Sequence, residues 1–187
     1  MADAKAARSR LTEIVKARSL RTGAAIKLAS GNTSTFYVNL KPTMLDPEGA
    51  FLIAGLILDE LSDAGIDLVG GMEMGAVPLA ACVAAASYAR GPRLRAFFVR
   101  KQAKDHGTRT LVEGLAEGET LEGKRIAMLE DVTTTGASTM RAIEALRAEG
   151  GSVARVIAVV DRLEGAAETF KAAGIPFTAL LTAADFR

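Results

Sequence analysis

Short apolar runs alternate along the chain with longer amphipathic stretches, and this alternation predicts repeated strand and helix units. Runs rich in β-branched or aromatic residues predict strands, and they cover residues 36–41, 66–69, 94–99, 126–130, 155–160 and 177–181. Apolar residues at helical spacing predict helices, and these cover 4–17, 50–61, a stretch that opens within 71–78, a stretch from about 140 to 150, and 168–173. Units of this length favour a parallel sheet with helices on both faces and ligands at the carboxyl ends of the strands.

The central feature is the segment 126–138, which has the sequence IAMLEDVTTTGAS. Residues 126–130 form a short apolar run that ends in charge, and this predicts a buried strand. Glu130 and Asp131 then lie at the carboxyl end of that strand. Residues 133–136 make a small turn rich in hydroxyl groups, and a helix follows. The order is therefore strand, acidic pair, small polar loop and helix.

A loop of this kind can bind a phosphate monoester, because backbone N–H groups point inward and the helix behind it adds the positive end of its dipole. Carboxylates would repel the phosphate, so the acidic pair is better suited to accept hydrogen bonds from the hydroxyls of an adjacent sugar. The segment therefore predicts a ribose 5-phosphate site. Neither G-x-x-x-x-G-K-[ST] nor G-x-G-x-x-G occurs. The alternative is an ordinary strand-to-helix turn with a solvated acidic pair.

Composition bounds the class of protein. With 187 residues, 49% of them hydrophobic, the chain is long enough for one domain with a full core. A net charge of +1 without a long run of one sign gives no indication of nucleic acid or membrane binding. No apolar run suits a signal peptide or a membrane span, and the single Cys82 cannot form an internal disulfide, so we expect a soluble cytoplasmic protein. Cys82 and the lone His106 also argue against a zinc cluster.

Two motifs carry a family resemblance. The run from Glu130 to Ser138, EDVTTTGAS, resembles the phosphoribosyl pyrophosphate (PRPP) motif of the type I phosphoribosyltransferases. The run 100–107, RKQAKDHG, is similar to the mobile loop of the orotate-specific branch of that family. The likeness extends from about Thr22 to the C-terminus, and the two motifs keep the order and separation that the family shows.

This resemblance implies the type I phosphoribosyltransferase fold, an α/β fold with a mostly parallel central sheet flanked by helices. It also implies one domain over 1–187, in which a small hood subdomain, about 1–45 plus the C-terminal end, covers a core of about 46–175. The lid, residues 100–110, is expected to be mobile when the site is empty, because it has almost no apolar side chain to bury.

The implied reaction is Mg²⁺-dependent transfer of ribose 5-phosphate from PRPP to orotate, which gives orotidine 5′-monophosphate and pyrophosphate on the route to UMP. Mg²⁺ would be held mainly by PRPP and water, so no protein metal ligands are expected. The implied partners are the two small-molecule substrates and a second copy of the chain, because the family forms homodimers whose lid residues are shared across subunits. No nucleic acid or membrane partner is expected.

The resemblance also implies roles for individual residues. The implied catalytic residues are Lys104, His106 and Asp131, and Lys104 is foremost among the cations that would face the departing pyrophosphate. Thr134 and Arg162 would contact orotate, since a planar guanidinium can bind its polar edge. Glu130 and Asp131 would hold the ribose hydroxyls. The implied PRPP-binding residues are Arg100, Lys101, Lys104, His106, Glu130, Asp131, Val132, Thr133, Thr134, Thr135, Gly136, Ala137 and Ser138.

Some assignments stay open. Lys27, Lys41 and Tyr37 each have a place near the expected ligand, and a solvated side chain is at least as good an interpretation for the two lysines. Certain relatives carry Tyr-Lys where this chain has Met74 and Gly75, in a segment that resembles the pyrophosphate loop of the family, so one cation is missing there. Two rival functions remain: a purine-directed phosphoribosyltransferase, and a regulator that binds PRPP only as an effector.

Overall fold

The computed structural model describes residues 2–27, 33–91, 93–102 and 111–187. Its helices are α1 (Ala2–Arg18), α2 (Lys41–Met44), α3 (Pro47–Leu61), α4 (Ala76–Arg90), α5 (Ala137–Ala148) and α6 (Ala166–Ala172), with a 3-10 helix at Ala183–Phe186. Its strands are β1 (Leu20–Lys27), β2 (Thr33–Val38), β3 (Leu68–Met72), β4 (Arg95–Val99), β5 (Val112–Glu113), β6 (Arg125–Thr133), β7 (Ser152–Asp161) and β8 (Phe177–Thr182). From β3 onward most strands are followed by a helix, as the apolar pattern predicts.

Six of the described strands form the central sheet, in the order β5-β4-β3-β6-β7-β8. Neighbouring strands are parallel except for β4 and β5, which are antiparallel. The prediction of a mostly parallel sheet is therefore confirmed. Because β3, β6 and β7 are parallel neighbours, the loops that follow them meet at one edge of the sheet.

Apolar side chains cover both faces of this sheet. On one face, α1, α3 and α4 pack through a cluster that includes Leu11 and Ile57. On the other face, α5 and α6 pack through a cluster that includes Phe170. Within β6, Leu129 belongs to the first cluster and Met128 to the second, because successive side chains of a strand point to opposite faces. The predicted arrangement of helices on both faces is confirmed.

The strand predicted over 66–69 is β3, which runs from Leu68 to Met72, so the predicted end is wrong and the strand continues through Gly70 and Gly71. Neighbouring atoms leave no room for a side chain at either position. A Cβ on Gly70 would lie 2.7 Å from the ring of Phe97, and a Cβ on Gly71 would lie 2.7 Å from the Cβ of Ala76. These glycines therefore allow close packing of the strand and do not make a turn.

β6 extends to Thr133, whereas the prediction ends this strand at Glu130. Val132 and Thr133 pair with residues of β7, so the acidic pair lies inside the strand and Thr133 is not part of the turn. A short apolar run marks only the buried part of a strand, and hydrogen bonds to a neighbouring strand can continue beyond it.

Two boundaries near the N-terminus also differ from the prediction. α3 begins at Pro47, not at Ala50, because the carboxylate of Asp46 accepts hydrogen bonds from two N–H groups of the first turn. The strand predicted over 36–41 is β2, which ends at Val38, and Lys41 begins α2.

β1 and β2 form an antiparallel pair that is separate from the central sheet. The ring centroid of Phe36 in β2 lies 6.0 Å from that of Phe186 in the C-terminal 3-10 helix, so this pair contacts the C-terminal end of the chain. The division into hood and core stays a prediction. Within the described ranges, no helix combines the length and the apolar composition that crossing a membrane requires.

Candidate active site

The phosphate loop, residues 133–138, comprises the last residue of β6, the turn at 134–136 and the first two residues of α5. The chain turns at Gly136, whose φ of +78° lies in the left-handed region that glycine adopts without strain. The Thr133 carbonyl accepts a hydrogen bond from the N–H of Arg162 at 3.0 Å, which attaches the loop to the segment after β7. Since the first N–H groups of a helix have no intrahelical partner, the start of α5 can present donors to an anion.

Gly136 is also surrounded too closely to carry a side chain. A Cβ at this position would lie 2.9 Å from Cζ of Phe170. Phe170 is fully buried in α6, and its ring centroid lies 5.0 Å from that of Phe177. The phosphate loop is therefore held in direct contact with α6.

Glu130 and Asp131 have different environments. Glu130 is only 8% exposed, and its Oε2 accepts a hydrogen bond of 2.5 Å from the hydroxyl of Thr139 in α5. Burial raises the pKa of Glu130 to about 8, and the negative charge of Asp131 adds to the rise, whereas the bond from Thr139 opposes it. Glu130 is thus directed into the packing between β6 and α5, and Asp131 is the more exposed carboxylate of the pair.

We expect Glu130→Gln to change how the stability of the ligand-free protein depends on pH. The folded-state pKa of about 8 lies above the ordinary value of 4.5, so the folded protein keeps a proton that the unfolded chain releases. The contribution of Glu130 to the free energy of unfolding is then fully present below pH 4.5 and is lost as the pH rises through about 8. Glutamine is neutral at every pH and removes this loss.

The free energy of unfolding of Glu130→Gln, relative to wild type, should therefore rise by on the order of 1 to 3 kcal/mol between pH 5 and pH 8. Urea unfolding at the two pH values measures the difference. Glu117→Gln is the matched control, because Glu117 is exposed and undergoes the same chemical change. If the difference in free energy of unfolding between Glu130→Gln and wild type stays constant with pH, the Glu130 carboxyl does not titrate in this range.

Asp131 faces the pyrophosphate loop, residues 71–78, which connects β3 to α4. A Cβ on Gly75 would lie 2.6 Å from Cγ of Asp131 and 2.9 Å from its Oδ2, so the carboxylate rests directly on the backbone of this loop. The loop is also bonded to the next strand, because the N–H of Glu73 donates to the Val99 carbonyl at 2.8 Å. The carboxyl ends of β3 and β6 thus bring an acidic side chain against the pyrophosphate loop.

The described start of the lid, residues 100–102, is hydrogen-bonded to the segment that follows the lid and to the pyrophosphate loop. The N–H of Arg100 donates to the Leu111 carbonyl at 2.8 Å, and the guanidinium of Arg100 lies 3.8 Å from the Glu113 carboxylate. The N–H of Lys101 donates to Oε1 of Glu73 at 2.9 Å. The lid therefore begins beside the pyrophosphate loop, and the Glu73 side chain is a contact that sequence analysis missed.

Five further residues have a predicted or open role. Lys104 and His106 lie outside the described residues, and so does the side chain of Lys27. Tyr37 is half-buried in β2, and Lys41 is exposed at the start of α2. Their roles stay predictions.

Arg162 follows β7, and its side chain is only 9% exposed. Its guanidinium forms an ion pair of 2.7 Å with Glu164, and its Cζ lies 5.9 Å from the centroid of the Phe36 ring. The structure therefore brings the predicted orotate residue next to the phosphate loop and under an aromatic ring from β2. Sequence analysis missed Phe36 and Glu164, because neither residue stands out by type or spacing.

Among the residues that the structure describes, no group of three or more His, Cys, Asp or Glu side chains could hold a metal ion. Mg²⁺ prefers oxygen ligands and keeps several water molecules, so it does not need such a group. The carboxylate of Asp131 is a suitable oxygen ligand, and it faces the pyrophosphate loop. The site is therefore compatible with an ion held mainly by a phosphate substrate.

The chain is similar in sequence to known proteins over almost its whole length. A model of the phosphoribosyl transferase domain matches residues 43–173. An orotate phosphoribosyltransferase of Bradyrhizobium sp. (strain BTAi1) is 56% identical over 181 residues, which cover 97% of each chain. The chain belongs to the orotate phosphoribosyltransferase family. A more distant member, from Sorangium cellulosum, is 44% identical over 96% of this chain and 92% of its own.

Solved structures of orotate phosphoribosyltransferases have the same fold. The Mycobacterium tuberculosis enzyme in complex with PRPP matches with a TM-score of 0.79 at 33% identity, over 96% of this chain and 98% of that chain. The same enzyme in complex with Fe(III) dicitrate matches with a TM-score of 0.83 at 36% identity, with the same coverage. The predicted family and the predicted type I phosphoribosyltransferase fold are both confirmed.

Proposed function

We propose that the chain catalyses Mg²⁺-dependent transfer of ribose 5-phosphate from PRPP to orotate, which gives orotidine 5′-monophosphate and pyrophosphate in pyrimidine biosynthesis. The proposal depends on one observation above all. The pyrophosphate loop, the phosphate loop and Arg162 lie together at the carboxyl ends of β3, β6 and β7, joined by the contact of Asp131 with Gly75 and by the bond of Arg162 to Thr133. The predicted cytoplasmic location is part of the same proposal.

The donor would bind along β6 and the phosphate loop. The 5-phosphate accepts hydrogen bonds from the loop at the start of α5, where N–H groups and the helix dipole favour an anion. Asp131 accepts hydrogen bonds from the ribose hydroxyls. Glu130 would contact the ribose hydroxyls through its other carboxyl oxygen, because its Oε2 is bonded to Thr139.

The reaction builds positive charge on the ribose ring and negative charge on the departing pyrophosphate. The pyrophosphate loop lies beside Asp131. The breaking bond would therefore lie between a carboxylate on the sugar side and backbone N–H groups on the other. Bound Mg²⁺ supplies further neutralisation of the leaving group. Lid cations supply the rest, with Lys104 foremost and Arg100, Lys101 and His106 beside it. Closure of the lid also excludes water that would hydrolyse the activated sugar.

The acceptor would bind between Arg162 and the phosphate loop, where Thr134 would contact it. Deprotonated orotate already has a nucleophilic ring nitrogen, so the mechanism needs no general base. Arg162 holds the polar edge of orotate through its planar guanidinium. The contact of Arg162 with the Phe36 ring keeps the guanidinium beside β2.

The test is orotate consumption by the purified full-length chain, with and without PRPP and Mg²⁺. We expect orotidine 5′-monophosphate and pyrophosphate in equal amounts only when all three are present, and we expect a chelator to abolish both. Adenine, hypoxanthine and uracil serve as rival acceptors, and turnover of any of them in place of orotate would contradict the proposal. Binding of PRPP without turnover would instead indicate a regulator.

We also infer a homodimer in which the lid of one subunit reaches the site of the other. Support for this comes from the resemblance of the lid sequence to the orotate-specific branch. Light scattering of the purified chain should give a mass twice that of one chain, and a monomeric mass during full activity would contradict the shared lid.

A further inference from the structure

Glu164 lies in the turn between β7 and α6, and this turn is bonded to the phosphate loop on both sides of Glu164. The N–H of Arg162 donates to the Thr133 carbonyl at 3.0 Å, and the N–H of Ala166 donates to the Thr134 carbonyl at 3.1 Å. The backbone position of Glu164 is therefore set by the loop that would bind the 5-phosphate.

Contacts within the turn restrict the same backbone further. Asp161 is only 4% exposed, and its Oδ1 accepts a hydrogen bond of 2.8 Å from the N–H of Leu163. Gly165 follows Glu164 with a φ of +105°, a conformation that glycine adopts without strain. The Glu164 side chain thus extends from a backbone with little freedom to move.

We propose that Glu164 is a positioning residue, which fixes the direction of the Arg162 guanidinium and thereby sets the affinity of the site for the acceptor. The inference rests on the proposed function, because Arg162 is the residue that would bind the polar edge of orotate. Oε1 of Glu164 lies 2.7 Å from Nη2 of Arg162, and the centroid of the Phe36 ring lies 5.9 Å from Cζ. An arginine has several rotatable bonds, so a contact that fixes its direction before the ligand arrives lowers the entropy cost of binding.

The ion pair acts on the direction of Arg162 more than on the stability of the fold. The Glu164 side chain is 43% exposed, and an ion pair with one partner largely in water contributes little to the free energy of unfolding. Loss of Glu164 should therefore leave the melting temperature close to that of wild type. It should also let the guanidinium adopt directions in which it cannot meet the acceptor. If about one tenth of the molecules keep the competent direction, the affinity for the acceptor falls by about 10-fold.

The experiment compares Glu164→Ala with wild type by calorimetry, with orotidine 5′-monophosphate and ribose 5-phosphate as the two ligands. We expect the affinity for orotidine 5′-monophosphate to fall by about 10-fold. The affinity for ribose 5-phosphate should stay unchanged, because this ligand has no base for Arg162 to bind. In the orotate assay the KM for orotate should rise by a similar factor, while kcat and the KM for PRPP stay close to wild type.

Two variants control the comparison. Glu164→Gln keeps a hydrogen-bond acceptor without the charge, so it should lose less affinity for orotidine 5′-monophosphate than Glu164→Ala. Glu168→Ala makes the same chemical change at an exposed residue in the first turn of α6 and should bind both ligands as wild type does.

A double-mutant cycle with Arg162→Ala tests whether Glu164 acts through Arg162. Adding Glu164→Ala to Arg162→Ala should cause no further loss of affinity for orotidine 5′-monophosphate. Three results would overturn the inference: an unchanged or higher affinity of Glu164→Ala for orotidine 5′-monophosphate, an equal loss for ribose 5-phosphate, or full additivity in the cycle. A wild type that turns over no orotate would refute the proposed function instead, so the two failures are distinguishable.

Discussion

Replacing Lys104 by alanine should lower kcat by about 10²- to 10³-fold, the loss expected when one preorganised group that stabilises developing negative charge is removed. The charge on the departing pyrophosphate grows only as the bond breaks. The variant should therefore lose kcat more than it loses affinity for PRPP. The described start of the lid supports this role, because the N–H of Lys101 is bonded to Glu73 of the pyrophosphate loop.

Steady-state kinetics of the purified variant measures this effect, and two variants control it. Lys104→Arg keeps the positive charge and should retain more of the activity than Lys104→Ala. Lys124→Ala removes the same side chain from an exposed position just before β6, at the opposite end of that strand from the site, and should behave as wild type. A kcat of Lys104→Ala near the wild-type value would remove Lys104 from the mechanism.

The central sheet could be predicted because its strands follow local rules. β7 and β8 are short apolar runs bounded by polar or turn residues, and such runs are typical of strands buried on both faces. The ends of strands follow different rules, since they depend on pairing with a neighbour. The strand predicted over 66–69 therefore stops short of Gly70 and Gly71, although β3 passes through both glycines, where Phe97 packs closely.

The phosphate loop could be predicted for a similar reason. The strand, acidic pair, small loop and helix are consecutive in the sequence, and their chemistry follows from residue type and order. The family resemblance then identifies PRPP as the ribose 5-phosphate donor, and the comparisons with known proteins confirm that family. Residue type alone gave Glu130 and Asp131 the same role. Only the fold separates them, by burying Glu130 against Thr139 and placing Asp131 on Gly75.

Contacts between distant segments could not be predicted. Phe36 lies in a strand near the N-terminus, and its neighbours Arg162 and Phe186 come from the other end of the chain. Glu73 has no unusual spacing, and only the approach of β4 to the pyrophosphate loop gives its carboxylate the N–H of Lys101. A single sequence carries no signal for such pairs, because they arise from the order of the strands in the sheet.

Gly136→Ala should lower the free energy of unfolding by about 2 to 4 kcal/mol, since a left-handed backbone and an overpacked contact each destabilise the folded state. The new Cβ would lie 2.9 Å from Cζ of Phe170. That ring cannot move aside easily, because it is fully buried and packs on Phe177. The phosphate loop would have to shift, so the KM for PRPP should also rise, by about 10-fold or more.

Gly118→Ala is a control that isolates the backbone contribution. Gly118 has the same φ of +78°, but it is exposed and a Cβ there would meet no atom within 4 Å. Its substitution should lower the free energy of unfolding by only about 1 kcal/mol and leave the KM for PRPP unchanged. The excess effect of Gly136→Ala in urea unfolding then measures the contact with Phe170. Equal stability losses in the two variants would mean that this contact does not hold the phosphate loop, and an unchanged KM would mean that the loop does not bind the 5-phosphate.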